Sequence, residues 1–116
     1  MGKRLWIMVA GPYASGAPDE SGRARNLRTL TGAALAVFRK GHVPIVGVHA
    51  ALPLIEAAGA ESFSEIMMPL SVAMSDRCDA CLRIGGPSTG ADKEVARFLA
   101  RGLPVYRRLE DLPAPE

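Results

Sequence analysis

The chain has 116 residues, of which 48% are apolar, 22% charged and 5% aromatic, the balance of an ordinary globular domain and not of a disordered or collagen-like one. At this length roughly two thirds of the unfolded surface can be buried, so neither disulfides nor a structural metal is needed to hold a core. Fourteen basic residues against twelve acidic ones leave a net charge of +2, and no basic stripe interleaved with aromatics occurs, which excludes a nucleic-acid polymer as the expected partner while leaving room for a small anion.

Lys3 and Arg4 precede only the short apolar run 5–10, which closes at Gly11-Pro12. That run is too short for the core of a secretory signal, so a cytoplasmic location is expected. It has instead the continuous apolar pattern of a strand buried on both faces of a parallel sheet. Residues 13–22 are rich in Gly, Ser, Ala and Asp without a period, as in a long, mobile loop of the kind that carries function. Leu27, Leu30, Ala34, Val37 and Phe38 then recur at helical spacing, and Arg39, Lys40 and Gly41 are suited to a helix C-terminus.

The run 43–48 predicts a second strand, with Pro44 near its start and His49 just past its end. The longer apolar stretch 43–55 falls short of the ~20 residues needed to cross a bilayer, so no membrane partner is expected. A short helix over 52–58 follows, Ser62 and Glu65 have the spacing of a capping box, and Pro69 is placed to open a helix reaching about Arg77. A third strand over 80–84, the turn Gly85-Gly86-Pro87-Ser88-Thr89-Gly90, a helix from about Gly90 to Arg101 and a fourth strand over 104–106 complete the pattern. Alternating strands and helices predict a small doubly wound, Rossmann- or flavodoxin-like α/β fold. Its parallel sheet would have four to five strands with helices on both faces. One domain is expected over 1–112, with 113–116 as a loose tail.

Cys78 and Cys81 form a Cys-x-x-Cys, but no second Cys or His pair stands near enough to complete a zinc site, so no metal is expected and two buried structural thiols are the preferred reading. In open α/β sheets ligands bind beyond the carboxyl ends of the strands. The candidate binding residues are therefore Gly11, Pro12 and Tyr13 after the first strand, His49 after the second, and Gly86, Ser88, Thr89 and Gly90 after the third. Asn26 stands early in the first helix as a further candidate, or as a local hydrogen bonder. His49 beside apolar residues is more often a packed side chain than a ligand contact. The glycine-rich turn feeds a helix N-terminus, which suits a phosphate or another anion, although it is neither a Walker A loop nor a G-x-G-x-x-G fingerprint. Arg23, Arg25 and Arg28 beside the first loop add attraction for an anion or form a solvated face.

On the helix after that turn, Lys93, Arg97 and Arg101 share a solvated stripe, and Ala91, Val95, Phe98 and Leu99 the opposite one. Glu94 falls at the edge of the inner stripe, so a carboxylate is aimed inward near the helix dipole, which favours its ionised form. A partly desolvated carboxylate at a strand-end cleft is a candidate nucleophile or ligand anchor; the plainer alternative pairs it with Arg83 or a neighbouring amide.

Ala10-Gly11-Pro12, Asn26, Gly41-His42, Cys78-Asp79-Ala80 and Ser88-x-Gly90-Ala91-x-x-Glu94 together resemble the nucleoside 2-deoxyribosyltransferase-like superfamily, within it a branch of short bacterial proteins. The resemblance spans most of the chain, and the Ser-x-Gly-Ala-x-x-Glu segment is its most specific part. It implies cleavage or exchange of the N-glycosidic bond of a nucleoside or nucleoside 5′-monophosphate, with Glu94 as nucleophile on the anomeric carbon. It also implies that Ser88, matching the serine of nucleotide-hydrolysing members, contacts the 5′-phosphate. No cofactor is required, and a homodimer or higher homo-oligomer is implied. Two positions depart from the pattern: Met8 stands where active members carry a strand-one tyrosine, and Pro69, Leu70 and Ser71 stand where they carry an aspartate. These departures favour the alternative expectation, a non-catalytic nucleotide-binding module on the same fold.

Overall fold

A computed structural model describes residues 4–114. Strand β1 (Trp6–Ala10) leads to helix α1 (Glu20–Arg39), β2 (Val43–Ile45), α2 (Gly47–Ala58), a single 3₁₀ turn (Ala60–Ser62) and α3 (Phe63–Ser75). Then follow β3 (Ala80–Arg83), α4 (Thr89–Ala100), β4 (Val105–Tyr106) and a second 3₁₀ turn (Leu109–Asp111). The sheet is four-stranded in the order β2-β1-β3-β4. Every pairing is parallel, with Ile7 opposite both Pro44 and Ala80, and Cys81 opposite Val105. This is the α/β fold that the alternation of elements predicts.

The two faces of β1 show how the sheet is covered. Ile7 and Val9 pack with Leu30, Ala34 and Val37 of α1, whereas Met8 and Ala10 pack with Ala91, Val95 and Phe98 of α4. Because strand side chains alternate, one continuous apolar pentapeptide serves two cores. Ile7, Met8, Leu82 and Phe98 are fully buried, each worth about 1.5–3 kcal/mol of transfer free energy.

Several boundaries differ from those expected, each for a local reason. Asp19 caps α1 by accepting from the Gly22 amide at 2.8 Å, so the helix begins inside the segment expected to be loop. The apolar run 43–48 is strand only to Ile45; its second half starts α2, with Val46 as N-cap residue. His49 therefore lies in the first turn of a helix and not beyond a strand end. Pro53 and Pro69 both sit inside helices. Pro69 does not open a helix: α3 starts six residues earlier at Phe63 and ends at Ser75, and Ser62 makes no side-chain cap. Phe38 and Leu99, both assigned to inner faces by spacing, are each 61% exposed. On α3 Met67 is buried, and among the described residues the large exposed apolar side chains are Trp6, Leu35, Phe38, Leu54 and Leu99.

The segment expected as a loose tail is held at its first residue. His42, 1% exposed, accepts the Leu5 amide on Nδ1 at 3.0 Å while its Nε2 meets the Pro113 carbonyl. Pro115 and Glu116 lie outside the described residues.

Candidate active site

The chain leaves β1 toward β2 on one side of the sheet, and β3 lies on the other. The carboxyl ends of β1 and β3 therefore flank the switch point at which such sheets open a crevice. Two glycines let the loops there meet. A methyl on Gly11 would come within 2.9 Å of the Ile84 carbonyl, and one on Gly85, which has φ of +78°, within 2.7 Å of Pro12.

Beside this contact lies a cavity of about 190 Å³. Tyr13 and Ser15 from the first loop, Ser88, Gly90 and Glu94 from the start of α4, and Val48, Phe63, Met67, Met68 and Ser71 from α2 and α3 line it. Tyr13 and Phe63 stack with ring centroids 6.3 Å apart and planes 15° from parallel, forming an aromatic wall. Most of the lining is apolar, with its polar groups few and convergent, the usual composition of a small-molecule site.

Glu94 is 7% exposed. Ser71 Oγ donates to its Oε2 at 2.9 Å, and Ser75 Oγ lies 3.4 Å from the same oxygen. No buried side-chain nitrogen or oxygen among the described residues lacks a partner, so Oε1, which takes neither of these bonds, is not sealed in the core, and Glu94 is a residue that lines the cavity. Burial pushes the Glu94 carboxyl above its ordinary range, opposed by the two serine hydroxyls and by the more distant charge of Arg83. The net direction is thus toward the neutral acid, opposite to that expected from the helix dipole. Arg83 does not pair with Glu94: it binds Asp92 at 3.2 Å and the carbonyls of Ile84 and Gly86.

The remaining candidates separate clearly. Gly11, Tyr13, Ser88 and Gly90 line the cavity with Glu94; Pro12, Asn26, His49, Gly86 and Thr89 do not. Asn26 acts from behind, its Nδ2 donating to the Tyr13 carbonyl at 2.7 Å and reaching that of Ser15 at 3.5 Å, which fixes the loop. His49 is exposed and bonds Thr31 at 2.8 Å, tying α2 to α1 away from the cavity. Gly86 lines a separate concavity with Arg83 and Arg107. Ser88 caps α4, accepting from the Ala91 amide at 3.2 Å, and its Oγ lies 3.4 Å from Ser15 Oγ.

Both thiols are buried, with Cys78 pushed up to about 11 and Cys81 to about 12 chiefly by desolvation. A thiol protonated at neutral pH is a poor nucleophile, as a structural residue should be. No group of three or more His, Cys, Asp or Glu that could hold a metal occurs among the described residues, and no helix among them is long and apolar enough to cross a membrane. Sequence patterns missed Ser75, Phe63 and Met67, and noted Ser71 only as standing where the resembled family carries an aspartate, not as a partner of Glu94. The four-residue interval between the serines, which places both on one helix face, is the signal that could have found them. No family model matches the chain and no curated protein matches it, so what the cavity does follows from its own groups.

Proposed function

We propose that this chain is an N-glycosidase or glycosyltransferase acting on a nucleoside 5′-monophosphate, with Glu94 as the nucleophile. The observation that carries this reading is the disposition of Glu94: buried at the switch point, one oxygen held by Ser71, and lining a cavity walled by Tyr13 and Phe63. In its ionised form, which the Ser71 hydrogen bond favours against the opposing effect of burial, a desolvated carboxylate so held suits attack on an electron-poor anomeric carbon. Oε1 forms a bond to C1′ as the C1′–N bond breaks, and the base leaves with that electron pair and takes its proton from water. Water or a second base then attacks C1′ and releases Glu94.

The cavity's size is consistent with this division. About 190 Å³ is below the ~300 Å³ at which drug-sized pockets begin, so it accommodates the sugar and leaves the base and phosphate at its margins. In this reading the 5′-phosphate accepts hydrogen bonds from the Ser88 hydroxyl and the amides of Thr89 and Gly90, where the helix dipole favours an anion. The protein would act in the cytoplasm as a symmetric homodimer, and the reaction needs no cofactor.

Two observations favour the second reading, a nucleotide-binding module without catalysis: Glu94 is the sole carboxylate among the lining residues, and Met8 of β1 is fully buried in the core. A panel of nucleosides and their 5′-monophosphates, monitored for released base, decides between them. Base release from a monophosphate, abolished in Glu94→Ala, is expected; tight binding with no release from any member of the panel establishes the binding module.

A further inference from the structure

The hydroxyl that holds Glu94 is itself held. Gly47, the first residue of α2, has no open space above its Cα: a methyl there would overlap Ser71 Oγ and stand 2.8 Å from Ser71 Cβ. The backbone of α2 therefore presses on the Ser71 side chain and limits its rotation. Gly47 is not among the residues with positive φ, so glycine is required there for closeness and not for backbone conformation. Ser75 is a lesser partner, because a hydroxyl has one proton to give. At 2.9 Å from the Ser71 carbonyl and 3.4 Å from Glu94, it gives that proton mainly to the carbonyl one helical turn earlier.

We propose that Ser71, wedged against the backbone of Gly47, is a positioning residue that clamps Oε2 of Glu94 and thereby assigns Oε1 to the substrate. The proposal rests on the reading of Glu94 as the nucleophile, and its physical basis is separate from that chemistry. An attacking carboxylate must be held within a fraction of an ångström of the productive geometry. One short bond to one of its two oxygens removes rotation of the carboxyl group. The same bond favours the charged form, which offsets part of the burial of Glu94. The other groups facing this carboxyl are Ser75 on α3, Arg83 and Cys81 on β3, Cys78 just beyond α3, and Tyr13 across the cavity. Ser71 donates its closest hydrogen bond.

The test uses the full chain labelled with ¹³C at glutamate carboxyl groups, with the Glu94 signal identified by its loss in Glu94→Gln. In Ser71→Ala the Glu94 titration moves to higher pH than in the wild type, and in Ser75→Ala it moves less. Gly47→Ala, which replaces no cavity-lining residue but drives a methyl into Ser71 Oγ, moves it in the same direction as Ser71→Ala by displacing the hydroxyl. With a turned-over monophosphate, Ser71→Ala lowers kcat about tenfold or more at nearly constant KM, the worth of one hydrogen bond to a charged group. A folded Ser71→Ala whose Glu94 titration coincides with that of the wild type overturns the proposal. A titration that moves while no monophosphate is turned over by the wild type upholds the clamp and overturns the assignment of Glu94 as nucleophile.

Discussion

Ser15 and Ser88 face each other with their hydroxyl oxygens 3.4 Å apart, joining the loop after β1 to the N-terminus of α4 at the cavity. The first loop is braced on its other side by Asn26, which donates to the carbonyls of Tyr13 and Ser15. Tyr13 thus owes its place to a hydrogen bond from a helix that contributes nothing to the cavity lining. Asn26→Ala should cost about 1–2 kcal/mol through the two carbonyls it leaves without a donor. It should also open the segment 12–18 to proteolysis. Urea unfolding and limited digestion measure the two effects, and an unchanged digestion rate would show that the loop needs no brace.

The pH dependence of stability has a definite sign. Burial raises the Glu94 carboxyl above its ordinary range, so the folded chain holds this proton more tightly than the unfolded one. The stabilisation from this group is complete below the ordinary carboxylate range, near pH 4, and is lost as pH rises from there through the raised folded value. Glu94→Gln, neutral throughout, escapes that loss. It should exceed the wild type in thermal stability at about pH 8 and lose that advantage near pH 4. A variant less stable than the wild type at the higher pH would mean that the ionised carboxylate is well solvated or paired.

The architecture was readable in the sequence because its signals are large: an apolar strand closed by Gly-Pro, a helix bounded by Gly41, and a glycine-rich turn before α4. The helix after β2 was obscured because residues 43–48 are uniformly apolar, and periodicity cannot separate a buried strand from the first turn of a buried helix. Pro69 reads as the start of a helix, yet α3 absorbs it in its interior as α2 absorbs Pro53, each helix losing one amide donor. Glu94 was found because a charge on an apolar stripe is an anomaly. Ser71 stood out only as part of a departure from the resembled family's pattern, and its role was hidden because a serine on a mixed helix face names no partner until Glu94, 23 residues away, is seen.

The two thiols provide a check on the core beneath the site. Cys78 and Cys81 are buried and held protonated at neutral pH by desolvation. A thiol reagent at pH 7.5 should react with both only after unfolding, with at most slow labelling of the native chain. Rapid native reaction of Cys81 would contradict the packing of β3 against α4.

Leu35 and Phe38, three residues apart and both exposed on α1, offer apolar surface to a second copy. The proposed homodimer should give a light-scattering mass near twice 12.3 kDa at tens of micromolar. A mass of 12.3 kDa at that concentration would show a monomer and confine the site to one chain.

A nucleophilic Glu94 must at some moment carry the sugar. The most direct measurement is intact-mass spectrometry of protein quenched in acid during turnover of a nucleoside 5′-monophosphate, followed by mapping of the modified peptide. The expected result is an adduct of one phosphorylated sugar, without its base, on the peptide containing Glu94, and none in Glu94→Gln. Base release at an undiminished rate from Glu94→Gln, or turnover with the adduct on another residue, would contradict the assignment.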